Sequence, residues 1–192
     1  MLGAPGEIVF AEAWRKGLRD FDVQALQERA VSVALGEVVP VYGRPDVALY
    51  ETHGYYPSDE VGRSVAWTQE VAIADYALAV VESEIGDPDV AQRLFERAGY
   101  WENLYDPEVG FFHGRASDGT FDAFSSEALW SSDYAEGNAR QYLWLVPHDP
   151  EGLFSVLGST DEAIARLTTF FEETKKEDED GYVGMPDYWY WH

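Results

Sequence analysis

The chain has no cysteine among its 192 residues. That absence removes disulfide frameworks, thiol catalysis and cysteine metal sites together, and says nothing about compartment. Lysine is almost missing as well, with only Lys16, Lys175 and Lys176. No apolar run approaches the roughly 18–20 residues a membrane span requires. The opening MLGAPGEIVF lacks the basic start and long apolar stretch of a signal peptide. Either the protein stays inside the cell or the start shown is not the native one, and the compartment is left open. There is no Gly-rich phosphate loop, HExxH or GxSxG, and the DEDG at 178–181 lacks EF-hand spacing.

Positive charge is scarce: 13 Lys and Arg stand against 36 Asp and Glu, a net charge of −23. Such a surface repels phosphate and excludes nucleic acid as a partner. The acids are spread along the chain, so this is not an acidic tail on a neutral domain. The favoured reading is adaptation to high salt, where a carboxylate-rich, lysine-poor surface stays hydrated and its self-repulsion is screened. The other reading is an acidic protein of no special habitat. A hydrophobic content of 46% argues against disorder, and the length suits one domain or part of a larger one.

Helical spacing dominates. Residues 7–20 place Ile8, Ala11, Trp14 and Leu18 on one face, and Asp22 can cap a helix from Val23 to about Leu35 with Ala25, Leu26, Ala30, Val33 and Ala34 inward. Residues 36–63 read as a long irregular crossing punctuated by Gly and Pro. Ser64 to Ile85 is the longest helix, with Ala72, Ile73, Tyr76, Ala79 and Val80 inward and Gly86 as its stop. Asp87-Pro88 opens a helix to about Leu104 through Val90, Leu94, Ala98 and Trp101. Residues 106–122 suit a short hairpin or an extended excursion. Asp149-Pro150 starts a short helix ending at Gly158, and Ser159 with Glu162 fits a capping box before a helix burying Ile164, Leu167, Phe170 and Phe171. A charged loop, Lys175–Asp180, and an aromatic segment, Tyr188–His192, follow. The expected fold is all-α, built from antiparallel helical hairpins with long irregular loops.

Chemistry concentrates in Tyr134–Asp149, YAEGNARQYLWLVPHD. The stretch combines Glu136, the amides Asn138 and Gln141, the aromatics Tyr134, Tyr142 and Trp144, and the pair His148-Asp149. Sugar sites need such a mixture, because aromatic faces stack on pyranose C–H groups while amides and carboxylates grip hydroxyls. Glu136 suits a general acid if it is partly buried, or a helix-start carboxylate facing the dipole of a helix over Asn138–Val146. Asp149 reads as a helix cap, so His148-Asp149 is read as structural. The aromatics Trp67, Tyr100, Trp101, Trp130, Tyr142 and Trp144 are each more readily explained as core than as a ligand platform.

The run Tyr134-Ala135-Glu136-Gly137-Asn138-Ala139-Arg140-Gln141-Tyr142, continued by Trp144 and Val146-Pro147-His148-Asp149, resembles the Y-x-EGNAWQY…W-x-VPHD signature of glycoside hydrolase family 92, the calcium-dependent, inverting exo-α-mannosidases. Gly152-Leu153, Leu157-Gly158, the N-L-(Y/F)-D-P-E-x-G-F core within Tyr100–Gly119 and the opening AEAWRKGLRDFD extend the likeness over most of the chain. The resemblance implies that residues 1–192 are one partial domain, a segment of an (α/α)6 toroid lacking its C-terminal part. It implies Glu136 as the general acid, with Asn138, Gln141 and His192 as sugar contacts. His192 matches the first residue of the family's H-G-N-E-P segment. The catalytic base, most ligands of the implied Ca2+, a β-sandwich domain and the remainder of the catalytic domain are expected outside this chain. The implied partner is a mannose-containing glycan. Arg140 replaces the family's Trp and places a cation next to the proposed acid, and Ser64–Ala74 departs from the family's T-L-E-Y-A-Y-D-D-W pattern. The rival reading is a non-catalytic helical module that binds carbohydrate or protein. A third is a six-hairpin enzyme acting on another sugar.

Overall fold

The structure, a computed structural model, describes residues 3–38 and 43–173. The charged loop expected at Lys175–Asp180, the aromatic segment Tyr188–His192 and the candidate contact His192 lie outside the described residues. Within them the chain is mostly helical: α1 (Pro5–Arg15), α2 (Val23–Ala34), α3 (Val47–His53), α4 (Ser64–Ile85), α5 (Pro88–Ala98), α6 (Ala139–Tyr142), α7 (Pro150–Val156) and α8 (Thr160–Glu173). A 3₁₀ turn, Tyr100–Leu104, leads into an antiparallel hairpin of β1 (Tyr105–Asp106) and β2 (Phe111–Phe112), with Tyr105 opposite Phe112.

Aspartate caps set the helix starts. Asp22 accepts from Ala25 N, Asp46 from Ala48 N and Leu49 N, Asp87 from Asp89 N and Val90 N, and Asp149 from Gly152 N. Pro88 and Pro150 sit where the missing N–H costs nothing. Several expectations about the elements change. Residues 36–63 contain α3, a short helix closed by Gly54 in the left-handed conformation (φ 74°) that glycine adopts without strain. The helix from Asp87 stops at Ala98 and tightens into the 3₁₀ turn. The helix over Asn138–Val146 shrinks to four residues. Trp144 N and Leu145 N bond three residues back, to Gln141 O and Tyr142 O, and Pro147 disfavours helical backbone at Val146. The face expected to be buried on α8 is open, with Ile164 56% exposed, and Leu167 and Phe171 also exposed; Ala163 is the buried residue.

Helix α4 is the centre. It is apolar nearly all round, as a helix surrounded by neighbours must be, and Val65, Ala72, Leu78 and Ala79 are wholly buried. The expected inward stripe is rotated: Tyr76 is 39% exposed, and Ile73 and Val80 are half-buried. Likewise Leu18, Ala25 and Leu26 face outward, while Phe10, Ala30 and Ala34 supply the core against α4 and α5. A second core, around Trp101, Leu104, Phe112, Tyr134 and Leu143, joins the hairpin to α6 and α7.

The interior also holds an ion network. Asp75 of α4 is fully buried between Arg44 (2.5 Å) and Arg97 of α5 (2.8 Å). Arg44 continues to Glu7 of α1, and Arg97 reaches Glu51 of α3 (3.1 Å) and the Ala34 carbonyl at the end of α2 (2.8 Å). Removing one member leaves buried charge uncompensated, a loss of about 3–5 kcal/mol. Asp75→Ala is therefore expected to lower unfolding stability by that amount in urea titration, with Asp75→Asn intermediate. An unchanged midpoint for Asp75→Ala would refute the network's role.

Candidate functional site

The candidate site is built on the start of α6 and the loop before it. Tyr134 is buried, and its hydroxyl donates to Phe112 O of the hairpin (2.6 Å). Asn138 is the N-cap of α6: its Oδ1 accepts from Gln141 N (3.2 Å), while Gln141 Oε1 accepts from Asn138 N (3.0 Å), a reciprocal capping box. Asn138 Nδ2 donates to Ala128 O (3.1 Å), and the residue is buried. Both amides thus hold the loop that carries Glu136.

Glu136 is exposed, not partly buried, and adopts φ 53°. A non-glycine residue there is strained, and such strain gathers at functional sites. Two neighbours enforce it. Tyr142 grips the preceding peptides, donating to Ala135 O (2.8 Å) and accepting from Ala135 N (3.1 Å). Gly137 is buried so tightly that a Cβ would lie 2.9 Å from the Tyr142 ring. Burial pushes the Tyr142 hydroxyl up to about 12, so it stays protonated as a donor.

Helix α4 docks on the same loop. Arg63 N donates to Ser132 O (2.7 Å), Ala66 N to Asp133 O (3.2 Å), and Gln69 Nε2 to Tyr142 O (3.0 Å). Glu70 follows, half-buried, and burial raises its carboxyl above the usual range. Arg140 does not stand as a bare cation beside Glu136: its guanidinium bonds Glu127 (3.1 Å). Arg140 and Glu127 line a cavity of about 310 Å3 with Phe111, Trp144, Arg166 and Phe170, of which Glu136 is not a lining residue.

His148 takes the structural part expected of it. A backbone carbonyl only accepts, so His148 Nε2–H donates to Ala98 O (3.0 Å), and the ring packs on Tyr76. Trp101 is wholly buried, whereas Trp130 is 45% exposed. No local pattern marks Arg63 and Glu70, whose neighbours at this loop lie some seventy residues away, or the buried pair His113-Asp106 (3.0 Å), flanked by Phe121 and Phe124. For calcium, no group of three or more His, Asp or Glu suited to a metal ion occurs among the described residues. The acidic pair that meets at Gly114, Asp122 with Asp133, is too few for a Ca2+ shell of six to eight oxygens. The described residues do not fit that ion.

The profile of the glycosyl hydrolase family 92 catalytic domain matches residues 1–191. The chain belongs to glycoside hydrolase family 92. An inverting mannosidase of that family from Bacteroides thetaiotaomicron superposes with a TM-score of 0.83 at 29% identity, over 88% of this chain and 23% of its own. An α-mannosidase of the same family and organism gives 0.80 at 29%, over 89% and 22%. Its complex with mannoimidazole gives 0.82 at 27%, over 93% and 24%. The chain therefore spans about a quarter of the length of these structures. No curated protein matches it.

Two measurements probe this local architecture. Tyr142→Phe strips two bonds from Ala135 and is expected to cost about 1–3 kcal/mol, with faster amide exchange at Ala135; unaltered exchange would show that the hydroxyl does not hold the loop. Burial also holds His148 below its ordinary value of 6.5, against the opposing bond to Ala98 O. The unfolded state then binds more protons, so stability falls as pH drops below about 6.5, towards the folded value. His148→Gln is expected to flatten that part of the stability–pH curve, and an identical slope would count against it.

Proposed function

We propose that this chain is part of an α-mannosidase-type (α/α)6 catalytic domain, and that the parent reaction is inverting hydrolysis of a terminal α-linked mannose. The observation that carries the reading is Glu136. The carboxylate of the family signature is exposed on a strained turn that Tyr142, Gly137 and the Asn138–Gln141 capping box fix from three sides. A mannose-type ligand is supported by the family and by the related α-mannosidase that binds mannoimidazole.

In the proposed step Glu136 gives its proton to the glycosidic oxygen as the C1–O bond breaks. A second carboxylate, about 6.5–9.5 Å away in inverting enzymes, takes a proton from the attacking water. That base and most of the calcium ligands belong to the remainder of the catalytic domain in this reading, which a separate β-sandwich domain accompanies. Asn138 and Gln141 are proposed to serve the sugar site by fixing the Glu136 turn, and His192 to contact sugar directly. The isolated 192-residue chain is expected to be inactive, as an acid without its base. The carboxylate-rich surface is proposed as an adaptation to high salt.

The test is kinetic. In the full reading frame, Glu136→Gln should slow hydrolysis of a mannobiose by about 10²–10⁴-fold, the usual worth of a general acid. A dinitrophenyl α-mannoside, whose leaving group needs no proton, should be affected far less. Equal loss on both substrates would remove Glu136 from the acid role. Carbohydrate binding without hydrolysis by the wild type would establish the non-catalytic module instead.

A further inference from the structure

Two non-glycine residues among those described have positive φ: Glu136 (53°) and Arg63 (62°). Both belong to the junction between the start of α4 and the loop before α6. Charges from Glu70, Arg63 and Glu136 all act on the Tyr142 hydroxyl, and the Arg63 peptide is tied to Ser132, four residues before Glu136. The backbone explains the turn but not the arginine. Arg63 N–H donates to Ser132 O and its carbonyl accepts from Trp67 N, and glycine or asparagine would do both with less strain.

The side chain is anomalous too. Acids outnumber bases 36 to 13, and Arg15, Arg44, Arg93, Arg97 and Arg140 each pair with a carboxylate. Arg19, Arg115 and Arg166 reach backbone carbonyls or aromatic rings instead, whereas the exposed Arg29 and Arg63 have no such bond to any described residue, and of these two it is Arg63 whose peptide is tied to the Glu136 loop. A guanidinium carries five donors in a fixed fork and is weakly hydrated, so it suits neighbouring hydroxyls on a sugar ring. Glu127 already pairs with Arg140, whereas Arg63 stands at the start of α4, tied by its backbone to the Glu136 loop, without a carboxylate partner among the described residues.

We propose that Arg63 is a specificity-determining residue of this site, whose guanidinium takes hydroxyls of the glycan bound at Glu136. The assignment rests on the reaction proposed above. Tyr142, Gln69 and Ser132 keep the two outlier turns in fixed relation.

The test compares wild type, Arg63→Gly and Arg63→Lys in the full reading frame, on a mannobiose. Arg63→Gly is expected to raise KM about tenfold or more, as loss of charge-assisted hydrogen bonds does, with a smaller change in kcat. Its melting temperature should equal or exceed the wild type's, since glycine relieves the strain, so lost binding is not lost folding. Arg63→Lys should recover part of the affinity. An unchanged KM in an active Arg63→Gly enzyme overturns the assignment and leaves the reaction standing. An unchanged KM with the alkaline limb of kcat/KM moved upward also overturns it, because Arg63 would then act on the acid and not on the sugar. A wild-type reading frame that hydrolyses no α-mannoside overturns both readings together.

Discussion

The fold depends on one fully buried carboxylate. Asp75 sits mid-way along α4, out of reach of water, and is tolerated only because Arg44 and Arg97 approach it from two sides. An unpaired charge there would cost several kcal/mol, so the packed position of α4 requires both arginines. Each then draws in another element: Arg44 fixes Glu7 and hence α1, while Arg97 fixes Glu51 and the end of α2. The network therefore sets which helices surround α4 and in what register. Apolar contacts alone specify that less sharply, because Ala72, Ala74 and Ala79 offer smooth, interchangeable surface.

The same helix carries that order to the candidate site. Its first two turns bind Ser132, Asp133 and Tyr142 through Arg63, Ala66 and Gln69, and Asp75 lies further along the same helix. A rigid α4 thus gives the Glu136 loop a fixed floor. Tyr142 then converts position into conformation by holding both polar groups of Ala135. A side chain on a strained turn keeps its geometry only when its surroundings over-determine it, and here a helix, a ring and a capping box all act on one loop.

Local rules made much of this legible. Asp22, Asp87-Pro88 and Asp149-Pro150 announce their helices because a cap and its helix lie within three residues. Ser64–Ile85 was bounded by its apolar run and Gly86. The central stretch stands out because its polar and aromatic groups are contiguous. What escaped was non-local or short. Helix α3 has seven residues, fewer than two full periods can reveal. Glu7, Arg44, Asp75 and Arg97 are spread over ninety residues, and nothing in their own neighbourhoods marks them as partners. Arg140 looks like a bare cation next to Glu136 in sequence, but the carboxylate that pairs with it, Glu127, lies thirteen residues back. The same limit hid Arg63, whose strain and position are properties of the folded loop.

The interior arginines also change how the charge is understood. A chain with 36 acids and 13 bases already repels itself, and two of those bases, Arg44 and Arg97, are almost wholly buried with Asp75 and Glu7. Cations are used where charge is hardest to hold, and the surface is left to carboxylates, which salt can screen over about 8–10 Å. Screening does little for a buried pair. Salt should therefore act mainly on the outside of the molecule, while the arginine–carboxylate frame beneath α4 keeps its geometry at any ionic strength. An exposed cation such as Arg63 is unusual against that background, because most other arginines in the described chain are drawn into carboxylate pairs or onto backbone and aromatic partners.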